Sequence, residues 1–237
     1  ESHFLASPED LLPVPPGLAP ELAALLPNME TAVTLMLDGA PLLGEQVIVF
    51  GQGIVGLLLT SLLAKMPLAG LVCLDLYPRR RLAGESLGAD VCLDPSAPQV
   101  LTKLRSMLPD GHFYAGADLV YEVSGHPAAL DQAIAVTGFH GRIIVGSWYG
   151  RKKADLNLGG AFHRSRIRLV SSQVSSISPE LLGRWSKPRL LGLAWRLLAD
   201  LPTALLITHS FNLAAAPEAY ALLDQQPGEA IQVLLTY

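Results

Sequence analysis

The chain has 237 residues, half of them apolar, and carries 17 Lys and Arg against 21 Asp and Glu for a net charge of −4. A mean hydropathy of +0.37 with that apolar share allows a substantial core, which excludes a disordered chain. Without a basic excess there is no electrostatic footprint for nucleic acid and no polybasic membrane anchor, and two cysteines are too few for a disulfide framework or a four-cysteine zinc site.

Pro8, Pro13, Pro15, Pro16 and Pro20 fix φ and remove amide donors, so the chain opens as an irregular, extended segment. Glu1 to Asp10 offer neither the basic nor the apolar stretch of a signal peptide, and a reducing, cytoplasmic compartment is expected. A helical pattern runs from about Glu21 to Leu37 with Pro27 as a break or kink. Val47–Phe50 is a continuous apolar run, suited to a strand buried on both faces of a parallel sheet. Helices are then expected near 54–66, 79–87, 97–108 and 127–137, with strands at Leu71–Leu74, Val91–Leu93, Asp118–Glu122, Arg142–Val145 and Ile167–Ser171. Strand and helix in turn imply βαβ units and a doubly wound α/β sheet. The apolar run Gly53–Ala64 is too short to span a bilayer and is closed by Lys65 and Pro67, so no membrane is expected as a partner. After Ser176 the rhythm changes. A long helix over about Pro179–Ala199, a strand at Leu205–Thr208, a helix at Ala214–Leu223 and an apolar run Ile231–Tyr237 read as another layer or domain.

The most informative segment is VIVFGQGIVG, residues 47–56. Gly51, Gly53 and Gly56 follow a predicted strand and open a predicted helix with the spacing G-x-G-x-x-G. Gly51 permits the tight turn, Gly53 lets a pyrophosphate approach the backbone, and Gly56 lets the helix pack closely on the strand. The helix start, with Ile54 and Val55, offers unpaired N–H groups and a positive dipole end to phosphate. Asp75 ends the next strand, nineteen residues beyond Gly56. A carboxylate there accepts from ribose hydroxyls and repels a 2′-phosphate, which favours NAD over NADP. Arg79, Arg80 and Arg81 pull the other way, since an arginine near this site can bind a 2′-phosphate; otherwise they are a solvated first turn of helix.

Other polar residues carry less. His3, His112, His126, His140, His163 and His209 lack metal-ligand spacing, and His126 alone, after the strand ending at Glu122, is placed as a cofactor neighbour. Cys73 and Cys92 sit in apolar strands as buried, inert thiols. Trp148 and Tyr149 either line a substrate cleft or cover the sheet edge, and Arg151–Lys153 read as a solvated loop.

With these motifs the chain resembles the medium-chain dehydrogenases and reductases, the superfamily of zinc-type alcohol, sorbitol and threonine dehydrogenases. The resemblance rests on GEQVIVFGQGIVGLL (44–58), Asp75 with Arg80 and Gly88–Asp90, DLVYEVSG (118–125), GRIIVGSWYG (141–150), LITHSFNLAAAPEAYALLD (206–224) and AIQVLLTY (230–237). It implies a Rossmann-type nucleotide domain over 29–176, with remnants of a second, β-rich (GroES-like) catalytic domain at both ends, 1–28 and 177–237. It places Val123 and Ser124 near the cofactor, Val145, Gly146 and Ser147 beside the nicotinamide, Arg80 by the adenosine ribose and Thr31, next to Glu30, near the nicotinamide. A phosphate-binding arginine of many relatives is replaced by Gln232, and a zinc ligand expected before the nucleotide domain falls on Pro27, which cannot ligate a metal. Zinc is therefore doubtful in this chain, and most of the family's catalytic domain has no counterpart in it. The implied activity is NAD(P)-dependent hydride transfer between an alcohol and a carbonyl substrate. Two alternatives stand beside it: a non-catalytic dinucleotide-binding module of the same descent, and an S-adenosylmethionine methyltransferase, against which the C-terminal blocks argue. The segment Arg166–Val174 matches an edge strand through which relatives form homodimers.

Overall fold

A computed structural model describes residues 5–108 and 116–237; His3 and His112 lie outside them. Residues 5–19 hold no helix or strand beyond a 3-10 turn at Pro8–Asp10. The helical pattern that follows divides into α1 (Pro20–Ala23) and α2 (Leu26–Gly39), and Pro27 falls in the first turn of α2, where its missing N–H leaves no bond unmade. Alternation then sets in as expected: β1 (Gln46–Phe50), α3 (Ile54–Leu63), β2 (Gly70–Leu74), α4 (Pro78–Ser86), β3 (Val91–Leu93), α5 (Val100–Met107), β4 (Ala117–Glu122), α6 (Pro127–Val136), β5 (Thr137–Val145) and β6 (Arg168–Ser171). All six strands are parallel, in the order β3-β2-β1-β4-β5-β6. This is the doubly wound order, with its switch point between β1 and β4.

β5 begins earlier than the apolar run Arg142–Val145 predicts. Its first residues pair irregularly, Ala117 opposite Thr137 and then Leu119 opposite Arg142, because Gly116 and Gly138 bring two backbones together where a Cβ on Gly116 would lie 2.5 Å from Gly138 N. Beyond β6 the boundaries also shift. The helix expected from Pro179 starts at Lys187 as α7 (Lys187–Leu198), preceded by a 3-10 turn and capped by the Ser186 side chain. Leu205 and Leu206 close a short helix, α8 (Thr203–Leu206), and the strand β7 follows it as Ile207–Asn212. A short apolar run fits either state, and here burial of Leu206 decides it. α9 (Ala216–Gln225) then leads to β8 (Gln232–Thr236), which pairs with β7 in a second, two-stranded parallel sheet.

The large sheet is covered on both faces. Val47 and Val49 of β1 pack with Leu35 of α2 and Leu57 of α3, while Ile48 and Phe50 pack with Leu104 of α5 and Leu130 of α6. Leu190, Ala194 and Leu198 of α7 join the first of these cores, so the late helix is built onto the nucleotide sheet. No helix among the described residues is long and apolar enough to cross a membrane.

At the amino edge, Arg142 of β5 forks onto both carboxylate oxygens of Glu45 at 2.7 Å and donates to the Gly39 carbonyl, which ties the end of α2 to the sheet. Burial works against the Glu45 charge, but the Arg142 and Leu42 donors prevail and hold the carboxyl below its ordinary value of 4.5. The contribution of this pair to stability is therefore complete above pH 4.5 and is lost as pH falls through the lowered native value. Glu45→Ala should lower the unfolding free energy by about 2 kcal/mol at neutral pH, and the difference should shrink in acid; urea titrations across pH check both.

Candidate functional site

β1 ends at Phe50 and α3 begins at Ile54, so three residues turn the chain at the carboxyl edge of the sheet. Gly51 has φ +99°, and a Cβ there would stand 2.6 Å from Ser124 Cα. A Cβ on Gly56 would lie 1.9 Å from the Gly51 carbonyl oxygen. Gly53 is different: a Cβ there would meet nothing nearer than Arg80 Nη1 at 4.0 Å. Two glycines thus bring the helix down onto the strand, and the third leaves the helix start uncovered. Ile54 and Val55 open that helix half-buried.

Asp75, directly after β2, is buried. Its Oδ2 accepts the Gln52 N–H at 2.8 Å and its Oδ1 the Tyr77 N–H at 2.9 Å. The carboxylate is thereby held between the glycine turn and the start of α4. Arg80 lies over the Tyr77 ring, 4.9 Å from its centroid, and donates from Nε and Nη2 to Ala230 O and from Nη2 to Pro227 O. The expectation of a solvated arginine turn is corrected for Arg80 and Arg81, which are half-buried, while Arg79 stays exposed. Arg79 donates to the Glu229 carbonyl because the loop before β8 folds back onto α4 across some 150 residues of sequence, whereas Arg81 donates locally to the carbonyls of Asp75 and Leu76.

On the other side of the turn, Val123 N–H donates to Phe50 O, and the N–H groups of Gly146 and Ser147, after Val145, both donate to Glu122 O. A Cβ on Gly146 would lie 2.8 Å from Leu35 Cδ2, so this glycine lets α2 close on the end of β5. Glu122 is wholly buried. Its Oε1 accepts the N–H and the hydroxyl of Ser124, and its Oε2 accepts the Tyr149 hydroxyl. Burial, then the Glu122 hydrogen bond, push the Tyr149 phenol well above its ordinary range. Ser147 Oγ accepts the Gly125 N–H at 2.8 Å and Lys152 Nζ donates to the Gly125 carbonyl at 3.0 Å.

A cavity of about 330 Å³ collects Gly51, Asp75, Tyr77, Arg80, Ser124 and His126. Gly53, Ile54, Val55 and Gly56 form the helix start beside it, while Val123, Val145, Gly146 and Ser147 lie beyond it along the β4–β5 edge. A larger hollow, about 660 Å³, borders Asp38, Arg142 and Arg168 at the sheet edge and touches none of the glycine loop. Glu30 pairs with Lys187 of α7, and Thr31 Oγ1 donates to Pro27 O. The Gln232 amide turns to the Val233 carbonyl. Glu122 was missed as an organising residue, although a charge ending an apolar strand run was visible in YEVSG; nothing in the spacing pointed to its partner Tyr149. Lys152, exposed as expected of a solvated loop, also borders the cavity.

A family model described as zinc-binding dehydrogenase matches residues 55–186. The chain belongs to the zinc-binding dehydrogenase family. The D-guloside 3-dehydrogenase of Escherichia coli (strain K12) is 26% identical over 227 residues, which cover 94% of this chain and 64% of that protein. Among solved structures, a short chain alcohol dehydrogenase from Escherichia coli CFT073 complexed with NADH superposes with a TM-score of 0.77 at 18% identity, covering 95% of this chain and 62% of that one. A putative zinc-binding dehydrogenase from Sinorhizobium meliloti 1021 bound to NADP gives 0.74 at 20% identity, covering 94% and 61%. These two show the shared fold. The chain spans less than two thirds of the length of these relatives.

Gly56→Ala must displace either α3 or the Gly51 peptide, and should cost about 2–3 kcal/mol of stability. Gly53→Ala, facing open space, should stay within about 0.5 kcal/mol of the wild type. Thermal unfolding of the two variants side by side checks the contrast.

Proposed function

We propose that this chain binds a nicotinamide dinucleotide, NAD in preference to NADP, and serves hydride transfer between an alcohol and a carbonyl substrate. The reading rests on one observation: the uncovered helix start at Gly53 lies beside a buried carboxylate, Asp75, at the carboxyl edge of the sheet. A cradle that one Cβ would fill, with an acid fixed next to it, fits a dinucleotide.

Bound there, the cofactor supplies the nicotinamide that gives or takes the hydride. The first N–H groups of α3 have no helical partners and hold the pyrophosphate with the help of the helix dipole. Each Asp75 oxygen keeps a lone pair after accepting its backbone amide, enough to receive a ribose hydroxyl. The same negative charge disfavours a 2′-phosphate. Arg80, whose Nη1 lies 4.0 Å from where a Cβ on Gly53 would sit, already spends Nε and Nη2 on the carbonyls of Pro227 and Ala230. Ser124, Val123, Val145, Gly146 and Ser147 form the continuation of the cleft toward the nicotinamide, and Glu122 fixes both of their loops from below.

The family name implies zinc. Among the described residues no group of three or more His, Cys, Asp or Glu stands close enough to hold a metal, and Pro27 offers no donor at the expected ligand position. Pro27, without a side-chain donor, does not fit the role of a zinc ligand. Pro27 also favours a second reading, a dinucleotide-binding module without catalysis; a dehydrogenase assay with metal analysis on the full-length gene product separates the two. A cytoplasmic location and a homodimer complete the proposal. The cysteines are unpaired, and all four residues of the edge strand β6 are exposed.

Fluorescence titration tests the cofactor. Wild type should bind NADH at least tenfold more tightly than NADPH, a difference of about 1.4 kcal/mol. Gly53→Ala should lose a similar factor toward NADH with its melting temperature unchanged. Failure of the wild type to bind millimolar NADH would sink the reading. Asp75→Ser should narrow the gap between the two cofactors, and an unaltered ratio would remove Asp75 from the specificity argument.

A further inference from the structure

Cys73 and Cys92 are direct register partners on the neighbouring parallel strands β2 and β3. In a parallel ladder such partners project from the same face, and both cysteines pack into the same core, on the α3 side. Strands in a sheet lie about 4.8 Å apart, inside the window of roughly 4.4–6.8 Å between Cα atoms that a disulfide spans. The two thiols differ in surroundings. Cys73 is fully enclosed, with Thr60 Oγ1 at 3.4 Å from its sulfur, whereas Cys92 keeps 9% exposure. The Cys92 sulfur occupies room left by Gly84 of α4, 2.7 Å from where a Cβ on that glycine would sit. Both are free thiols.

We propose that Cys73 and Cys92 are a redox-modification site, a dithiol that hydrogen peroxide closes to an intramolecular disulfide. Burial, together with the nearby Cys92 sulfur, holds the Cys73 thiol well above its ordinary range, so the more exposed Cys92 reacts first. The Cys92 thiolate attacks one peroxide oxygen; an S–O bond forms, the O–O bond breaks, and the departing hydroxide takes up the thiol proton as water. The Cys73 sulfur then attacks the Cys92 sulfur. An S–S bond forms, the S–O bond breaks, and the hydroxyl leaves with the Cys73 proton as a second water. Two thiols give up two electrons and two protons, and the peroxide is reduced to two waters. A bridge between directly paired strands is constrained by the ladder, which makes it easily reduced.

The test needs no cofactor and so stands apart from the proposed function. The reduced full chain is treated with hydrogen peroxide, denatured, alkylated and digested with trypsin. The expected product is a dithiothreitol-sensitive link between fragments Met66–Arg79 and Leu82–Lys103, with loss of two hydrogens and of both alkylation sites. In Cys73→Ala, Cys92 should stop at a sulfenic acid that dimedone traps. Both thiols remaining alkylatable, Cys92 passing to a sulfinic acid in the wild type, or a link joining two chains would each overturn the proposal.

Discussion

The contact between Gly56 and the carbonyl of Gly51 governs the geometry of the carboxyl edge. At that distance no side chain fits, so α3 descends onto the end of β1 and its first peptides point across the edge instead of into a side-chain layer. Gly51, at positive φ, brings the same turn against Ser124, so β1, α3 and the loop after β4 meet at one point. That point is the topological switch between β1 and β4, where neighbouring connections leave in opposite directions and a crevice must form. The opening at Gly53 follows from two contacts that leave no space and a strand order that leaves a gap.

Much of this was legible in the sequence, because the relevant signals are local. A continuous apolar run followed by three spaced glycines allows few backbone paths, and the central strands lie where apolar runs bounded by Gly, Pro and Asp place them, apart from the early start of β5. Asp75 was legible for the same reason, being a charge at the end of such a run. What local pattern could not resolve is where it is ambiguous or where the partner is distant. Leu205 and Leu206 suit helix and strand equally, and only the core they enter chooses. The start of α7 depends on Ser186 and Pro188, which outweigh the apolar content around Leu181 and Leu182.

Arg79 and Arg80 show the second kind of failure. On a helix of mixed composition three consecutive arginines look like surface charge, and no spacing rule could foresee that the loop 227–230 would return to supply carbonyl acceptors. The consequence is chemical as well as structural. A guanidinium that already satisfies backbone carbonyls has fewer donors to offer a phosphate, so the partners of Arg80 weaken the case for NADP that its position in the sequence makes.

Asp75 and Glu122 sharpen this point, since both are acids at the carboxyl ends of strands flanking β1, and both are buried. Neither is matched by an ion pair. Asp75 takes two backbone amides, while Glu122 takes an amide and two hydroxyls. Neutral donors stabilise a buried carboxylate without cancelling its field, as an arginine would. Asp75 borders the cavity, so its carboxylate stands where the proposed discrimination against a 2′-phosphate would act. Glu122 is wholly buried and gathers Ser124 and Tyr149 around itself, so its oxygens fix loop positions. The same residue class at the same level of the sheet thus has two different settings, one bordering the crevice and one enclosed behind it.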